Sequence, residues 1–192
     1  MADVRILTVV TLAAVVLTGC SSTQGSRIRA TQDVPPTATA HLTSTAVPPT
    51  SIAPPILPPV PVPVSPGTCP YLGAATVADL NGQLVAGVRL NTSYDPPACF
   101  FLIGNGSVQL SVWVYRAGSA ALATAAVDRA AAVATSDPAS APEGWIGGRS
   151  GGQHGAVYAV SKGAVAVVVT SNQEQSLKPQ RVTEAVINSL RL

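Results

Sequence analysis

Proline is concentrated between Ser21 and Gly67, and this concentration limits what the chain can fold into more than any other feature. Eleven of the 17 prolines lie there, among serine, threonine, alanine and valine, without a periodic apolar face. Because proline lacks a backbone N–H and fixes φ, the run PPILPPVPVPVSP at 54–66 cannot continue a helix or pair within a sheet. The composition favours polyproline II, at about 3.1 Å per residue. We predict a disordered Pro/Ser/Thr-rich tether over residues 20–67; a ligand for a proline-binding partner is the alternative.

A short apolar run precedes this tether. Residues 6–17 are apolar or threonine, a length typical of a signal peptide and too short to span about 30 Å of hydrocarbon. The run ends in Leu17-Thr18-Gly19-Cys20, which resembles the lipobox of bacterial lipoproteins. The resemblance implies a signal peptide over residues 1–19 and a lipid on the sulfur of Cys20. Such acylation holds a protein on a membrane, so we expect a lipid anchor on the extracytoplasmic face of the cell membrane. An ordinary secretory signal is the alternative.

The remaining residues, 68–192, are enough for one domain with its own core. The formal net charge of the whole chain is +2, only 10% of residues are charged, and no basic run is present. A nucleic acid therefore has no electrostatic reason to bind, and we expect no nucleic-acid partner. A charged fraction this low is typical of exported envelope proteins.

Cys69 and Cys99 are the two cysteines left once Cys20 is assigned to the lipid. In an exported domain, such a pair predicts a disulfide. Two cysteines and a distant His154 are too few for a zinc site, which takes four ligands. We therefore expect neither a metal nor a cofactor.

Local patterns predict an α+β domain with the element order αβββαβββα. Apolar alternation, turn residues and helix caps mark the boundaries. The predicted elements are helix 71–82, strands 83–90, 99–103 and 107–115, helix 119–135, strands 145–150, 156–161 and 164–171, and helix 178–190. Because tight hairpins join strands within each group, we expect an antiparallel sheet of about five to six strands with the helices packed on it.

The strand at 107–115 has two different faces. Alternate residues from Val108 to Val114 are valine or leucine, whereas the other face has Gln109 and Ser111 followed by Trp113 and Tyr115. Aromatic side chains with a polar atom are favoured at binding surfaces. The alternative is that the alanine-rich helix or the proline-containing turn covers both rings. By residue type, the candidate contact residues are Tyr94, Trp113, Tyr115, Trp145, Arg149 and His154.

No catalytic constellation is recognisable in the sequence. The domain's histidine, His154, lies in GGRSGGQHG (147–155) with Ser150 nearby, but a G-x-S-x-G elbow is missing. Arg149 and the glycines of this segment suit an anion, yet the G-K-[ST] ending of a phosphate-binding loop is absent. The carboxylates are scattered without a pair for acid–base chemistry. We therefore predict that the domain is not an enzyme.

Three segments together resemble a known family. TCPYL (68–72), DPPACFF (95–101) and VWVY (112–115) are similar to segments of a lipoprotein family from mycobacteria and related actinobacteria, known as a domain of unknown function. The similarity covers roughly residues 68–192. It implies an envelope location and supplies no catalytic residues. It also agrees with a disulfide between Cys69 and Cys99.

Three functions remain open at this point. The first is a non-catalytic envelope module that binds a lipid, a glycan or a protein from the end of its tether. The second is a structural or scaffold lipoprotein that contacts another envelope protein, and the third is a hydrolase that uses the His154 loop. An apolar cavity would favour the first function, and an exposed apolar patch would favour the second. A cleft that contains His154 together with a residue of perturbed pKa would favour the third.

Overall fold

The computed structural model of the chain describes residues 56–192. The predicted signal peptide, the lipidation site Cys20 and the tether as far as residue 55 lie outside the described residues. The elements, in chain order, are β1 Ser65–Pro66, α1 Ala74–Asn81, β2 Gly87–Asn91, β3 Ala98–Leu102, β4 Val108–Arg116, α2 Ala120–Ala130, β5 Asp137–Ala139, β6 Ile146–Gly152, β7 Gly155–Lys162, β8 Val165–Ser171 and α3 Leu177–Leu190.

One antiparallel sheet contains all eight of these strands, in the order β1-β2-β3-β4-β8-β7-β6-β5. The chain runs from one edge to the centre, passes through α2 to the other edge, and returns to the centre, where β8 pairs with β4. The predicted α+β class with an antiparallel sheet is confirmed. The predicted strand number of five to six is wrong, because the two short edge strands β1 and β5 were missed. Both contain proline, which an edge strand tolerates and which hides the strand pattern in the sequence.

Helices cover both faces of the sheet. On one face, α1 and α3 pack over a core that includes Val112, Val167 and Tyr158. On the other face, α2 packs over Trp113, Ala159 and Val168. Consecutive residues of β4, β7 and β8 thus contribute to opposite cores, as the alternation of side chains along a strand requires.

Helix α2 is shorter than the sequence predicts. Its N-cap is Ser119, whose side chain accepts a hydrogen bond from the N–H of Leu122, but the helix ends at Ala130 instead of continuing to 135. Helix α1 begins at Ala74, three residues after the start of the predicted helix 71–82. The residues before it are drawn into the core instead, because Cys69 and Leu72 are buried there.

A β-bulge interrupts the pairing of β3 with β4. Phe101 lies opposite Leu110, but Leu102 lies opposite Val108, so Gln109 has no partner across the ladder. An extra residue of this kind turns the following side chain to the other face. The amide of Gln109 consequently contacts Asn81 at the end of α1. The sequence-based placement of Gln109 on the same face as Trp113 is wrong for this reason.

The disulfide between Cys69 and Cys99 is present and buried. The two Cα atoms lie 5.7 Å apart, a separation typical of disulfides. The bond joins the segment before α1 to strand β3. Next to it, the hydroxyl of Tyr71 donates to the carbonyl of Pro97 at 2.9 Å. Burial raises the pKa of the Tyr71 phenol above its ordinary value.

Candidate functional site

Three of the predicted contact residues lie together on the α2 face of the sheet. The rings of Tyr94 and Trp113 meet edge to face, with centroids 5.8 Å apart. Trp113 and Tyr115 are stacked, with centroids 5.1 Å apart. The guanidinium of Arg129, on α2, lies 5.4 Å from the Trp113 ring centroid. We call Tyr94, Trp113 and Tyr115 the aromatic platform.

The end of the proline-rich segment covers this platform. Residues 56–66, which we call the strap, run along the domain and end in β1, which pairs with β2. The side chain of Leu57 packs against the cluster that contains Trp113. Trp113 itself is only 5% exposed, whereas Tyr94 and Tyr115 are half-buried. The folded chain therefore begins before Thr68, the predicted boundary.

Side chains of the domain hold the strap by its backbone carbonyls. Their hydrogen bonds are Arg129 Nη1 to Pro58 O at 2.6 Å, Tyr94 Oη to Pro59 O at 2.8 Å, Asn91 Nδ2 to Val62 O at 3.0 Å, and Arg89 Nη2 to Val64 O at 2.6 Å. Pro61 is buried among these contacts. Proline lacks a backbone N–H, so carbonyls provide most of these contacts; Val64 adds a backbone N–H that donates to the carbonyl of Leu90 at 3.0 Å.

The other predicted contact residues lie elsewhere. Trp145 is 2% exposed and belongs to the core under α1 and α3, on the opposite face from Trp113. Arg149 is half-buried beside Tyr158 and Gln180 in a small polar pocket of about 170 Å³. Burial raises the pKa of Tyr158, and its hydroxyl donates to the carbonyl of Ala141. The six candidates therefore do not form one surface.

His154 lies at the tip of the hairpin between β6 and β7 and is exposed. The glycine-rich segment around it belongs mostly to strand β6, which pairs with β7 as far as Gly152. Its glycines permit close backbone packing: a Cβ at Gly151 would lie 2.2 Å from the carbonyl oxygen of Glu174. The segment thus has a packing reason for its composition. His154 does not line the small polar pocket beside Arg149.

A second pocket, with a volume of about 270 Å³, lies between α2 and strands β5 and β6. Its walls are mostly apolar and include Val127, Ala131 and Pro138. Two large apolar side chains stand in solvent at its edge, since Val133 is 80% exposed and Ile146 is 68% exposed. We call this the apolar pocket.

Sequence reasoning did not find the apolar pocket. Its lining comes from α2, the segment after it and three strands. Single exposed apolar residues such as Val133 are ordinary on protein surfaces. Asp128 and Asp137 also line it, although their spacing in the sequence shows no pattern. The one available signal was Ile146, an apolar residue that stands beside glycines in β6.

A family profile for a domain of unknown function, DUF2020, matches residues 56–192. The chain belongs to the DUF2020 family. The matched range begins at Ile56, so the DUF2020 domain includes the strap as well as the sheet. Comparison with curated proteins finds no match.

Two features are absent from the described part of the DUF2020 domain. No helix within residues 56–192 combines the length and hydropathy that a membrane span requires. Over the same residues, no three His, Cys, Asp or Glu side chains are grouped closely enough to bind a metal ion.

Proposed function

We propose that the chain is an exported lipoprotein of the actinobacterial envelope, anchored through Cys20, whose DUF2020 domain is a non-catalytic binding module. The apolar run before Leu17-Thr18-Gly19-Cys20 supports the anchor. The apolar pocket supports binding: it is a concave apolar surface with exposed apolar residues at its edge, as expected for a site that takes an apolar group from a ligand.

The size of the apolar pocket suits part of a ligand. Its volume of about 270 Å³ lies just below the range of about 300–1,000 Å³ typical of small-molecule sites. One ring or the end of an acyl chain would fill it, and the rest of the ligand would lie over Val133 and Ile146. An envelope lipid or glycolipid has this form.

The charges at the apolar pocket select against anions. Asp128 and Asp137 line it, and among the described lining residues there is no lysine, arginine or histidine. A surface with one sign of charge repels ligands of the same sign. We therefore propose a ligand with an apolar chain and a neutral or cationic polar part, rather than a free fatty acid.

A binding experiment with matched variants tests this proposal. The neutral fluorophore N-phenyl-1-naphthylamine is titrated into the wild-type protein, Val133→Asp and Leu84→Asp. Leu84 is 82% exposed, much like Val133, but lies outside the apolar pocket. We expect Val133→Asp to weaken binding at least fivefold and Leu84→Asp to leave it within twofold. Equal binding to all three proteins would contradict the proposal.

Competition then tests the charge preference. Decyltrimethylammonium and decanoate have the same chain and opposite charges, and both are added below their micelle-forming concentrations. We expect the cation to displace the fluorophore at a lower concentration than the anion. Displacement at equal concentrations, or preferentially by decanoate, would refute the role assigned to Asp128 and Asp137.

The anchor requires a separate test in an actinobacterial host. Wild-type chain and Cys20→Ala are expressed, and their partitioning between detergent and aqueous phases is compared. The wild type should enter the detergent phase and the variant should remain aqueous or keep its signal peptide. Equal partitioning of both proteins into the detergent phase, with the variant cleaved to the same mature length as the wild type, would contradict lipidation of Cys20.

A scaffold role is the second candidate, and an apolar row on the strap favours it. Val60, Val62 and Val64 are exposed and alternate with prolines. A protein partner that contacts this row would make the chain a structural lipoprotein. Cross-linking from residue 62 in the envelope distinguishes the two functions, because a scaffold gives one defined protein adduct there and a lipid-binding module does not.

A further inference from the structure

The strap is bound in the way that proline-rich ligands are bound. Such ligands dock on aromatic surfaces, and their carbonyls accept hydrogen bonds from side-chain donors. Here Tyr94 and Arg129 donate to the carbonyls of Pro59 and Pro58, next to the ring of Trp113. The aromatic platform and its neighbouring donors therefore select an extended chain with accessible carbonyls and apolar side chains.

One donor of the aromatic platform is not used by the strap. The indole Nε1 of Trp113 is buried and has no hydrogen-bond partner within the described residues, and the side chain is only 5% exposed. A buried N–H without an acceptor is costly. Within the described residues, neither the strap nor the rest of the domain supplies an acceptor for this N–H. A proline-rich segment that places a carbonyl against the indole N–H would satisfy it better.

We propose that the aromatic platform is a recognition site for an extended proline-rich segment of another protein, and that the strap occupies this site in cis. The partner segment needs carbonyls for Tyr94, Arg129 and the indole of Trp113, and prolines that pre-organise it in an extended form. This proposal is independent of the apolar pocket, which involves other residues.

The strap competes with the partner segment for the aromatic platform and so raises the partner concentration that binding requires. A segment attached to the same chain competes at an effective concentration of about 1 mM. For a strap with an intrinsic Kd of about 100 µM, a competing peptide therefore binds the intact chain on the order of tenfold more weakly than the open site. Exchange takes place when the partner segment is concentrated locally or fits the Trp113 indole N–H better than the strap does.

A peptide titration tests exchange. The probe is a synthetic peptide with the sequence of residues 54–67, and the proteins are the intact chain and a variant with Pro58→Gly, Pro59→Gly and Pro61→Gly. Binding is followed by fluorescence anisotropy of the labelled peptide. We expect saturable binding to the variant that is at least tenfold tighter than binding to the intact chain. A folded variant that binds no peptide up to 1 mM would overturn the proposal.

Matched controls test the chemistry of recognition. Tyr94→Phe in the strap variant removes the hydroxyl that donates to Pro59, whereas no hydrogen bond involves the Tyr115 hydroxyl among the described contacts. We expect Tyr94→Phe to weaken peptide binding threefold to tenfold and Tyr115→Phe to change it less than twofold. A peptide with alanine at every proline should bind at least tenfold more weakly. Equal binding of this peptide would contradict proline recognition.

A second measurement keeps the proposal testable if the strap variant does not fold. Intact ¹⁵N-labelled chain is titrated with the peptide to several millimolar, and the indole N–H resonance of Trp113 is followed by NMR. Exchange predicts a saturable shift of this resonance, while the resonance of Trp145, buried on the other face, stays in place. A Trp113 resonance that does not move would overturn the proposal.

Discussion

Removal of the cross-link between Cys69 and Cys99 should destabilise the domain by an amount that the loop length determines. The two residues are 30 apart in the sequence. In the chain-entropy model, a loop of this length lowers the entropy of the unfolded chain by about 12 cal/mol/K, which corresponds to about 3.6 kcal/mol at 25 °C. The loss is a large fraction of the roughly 5–15 kcal/mol typical of a domain.

The same figure predicts a change in melting temperature. Residues 56–192 should unfold with an entropy of about 290 cal/mol/K, taken at about 2.1 cal/mol/K per residue. A loss of about 3.6 kcal/mol then lowers Tm by about 12 °C. Because both sulfurs are buried, the protein has to be reduced in denaturant and refolded under reductant before the comparison.

Urea unfolding of the oxidised and reduced wild type, followed by tryptophan fluorescence, measures the difference directly. This comparison keeps both side chains and changes only the cross-link. The double variant Cys69→Ala/Cys99→Ala is the control, since its unfolding should not respond to reductant. A difference below about 1 kcal/mol between the oxidised and reduced proteins would refute the loop-entropy reasoning.

Three further predictions concern stability. Gly147→Ala should destabilise the domain by at least about 3 kcal/mol, because its Cβ would lie 2.0 Å from the carbonyl oxygen of Ala159. In the control Gly104→Ala, the Cβ meets no atom within 4 Å, and the cost should be less than about 1 kcal/mol. Equal thermal stability of the two variants would exclude the clash. Gln109→Leu should lower the free energy of unfolding in urea by about 2–4 kcal/mol, because it leaves the buried partners of the amide unpaired. A loss below about 1 kcal/mol would show that these hydrogen bonds are dispensable. The raised pKa of Tyr71 keeps its phenol neutral in the folded state. The free energy of unfolding is therefore independent of this group below the ordinary pKa of 10.0 and falls above it by about 1.4 kcal/mol per pH unit. Tyr71→Phe should reduce this slope in pH-dependent unfolding, and an unchanged slope would assign it to other groups.

Much of the fold was predictable because it depends on local pattern. Apolar alternation identified β4, β7 and β8, and the tight hairpins expected within each group of strands include the one between β3 and β4. The edge strands β1 and β5 were not predictable, because each is two or three residues long and contains proline. Their pairing depends on a neighbouring strand that the local sequence does not specify.

The candidate site, too, was only partly predictable from the sequence. The residue types of Tyr94, Trp113 and Tyr115 identified a possible contact surface, and the structure brings these three together. Trp145 is of the same residue type, yet it lies in the opposite core. Residue type alone cannot distinguish the two tryptophans, since burial depends on which helix covers which face.

By itself, the sequence determined the α+β class and the cysteine pair, because strand periodicity and cysteine count can be read without knowledge of the tertiary contacts. Only the tertiary structure decided where, within the proline-rich segment, the folded domain begins. Residues 56–66 have the composition of a tether, but side-chain donors on β2, α2 and the turn before β3 bind their carbonyls. Those donors are 25 to 71 residues away in the sequence. A contact over such a distance is absent from local composition and is created when the sheet and α2 assemble.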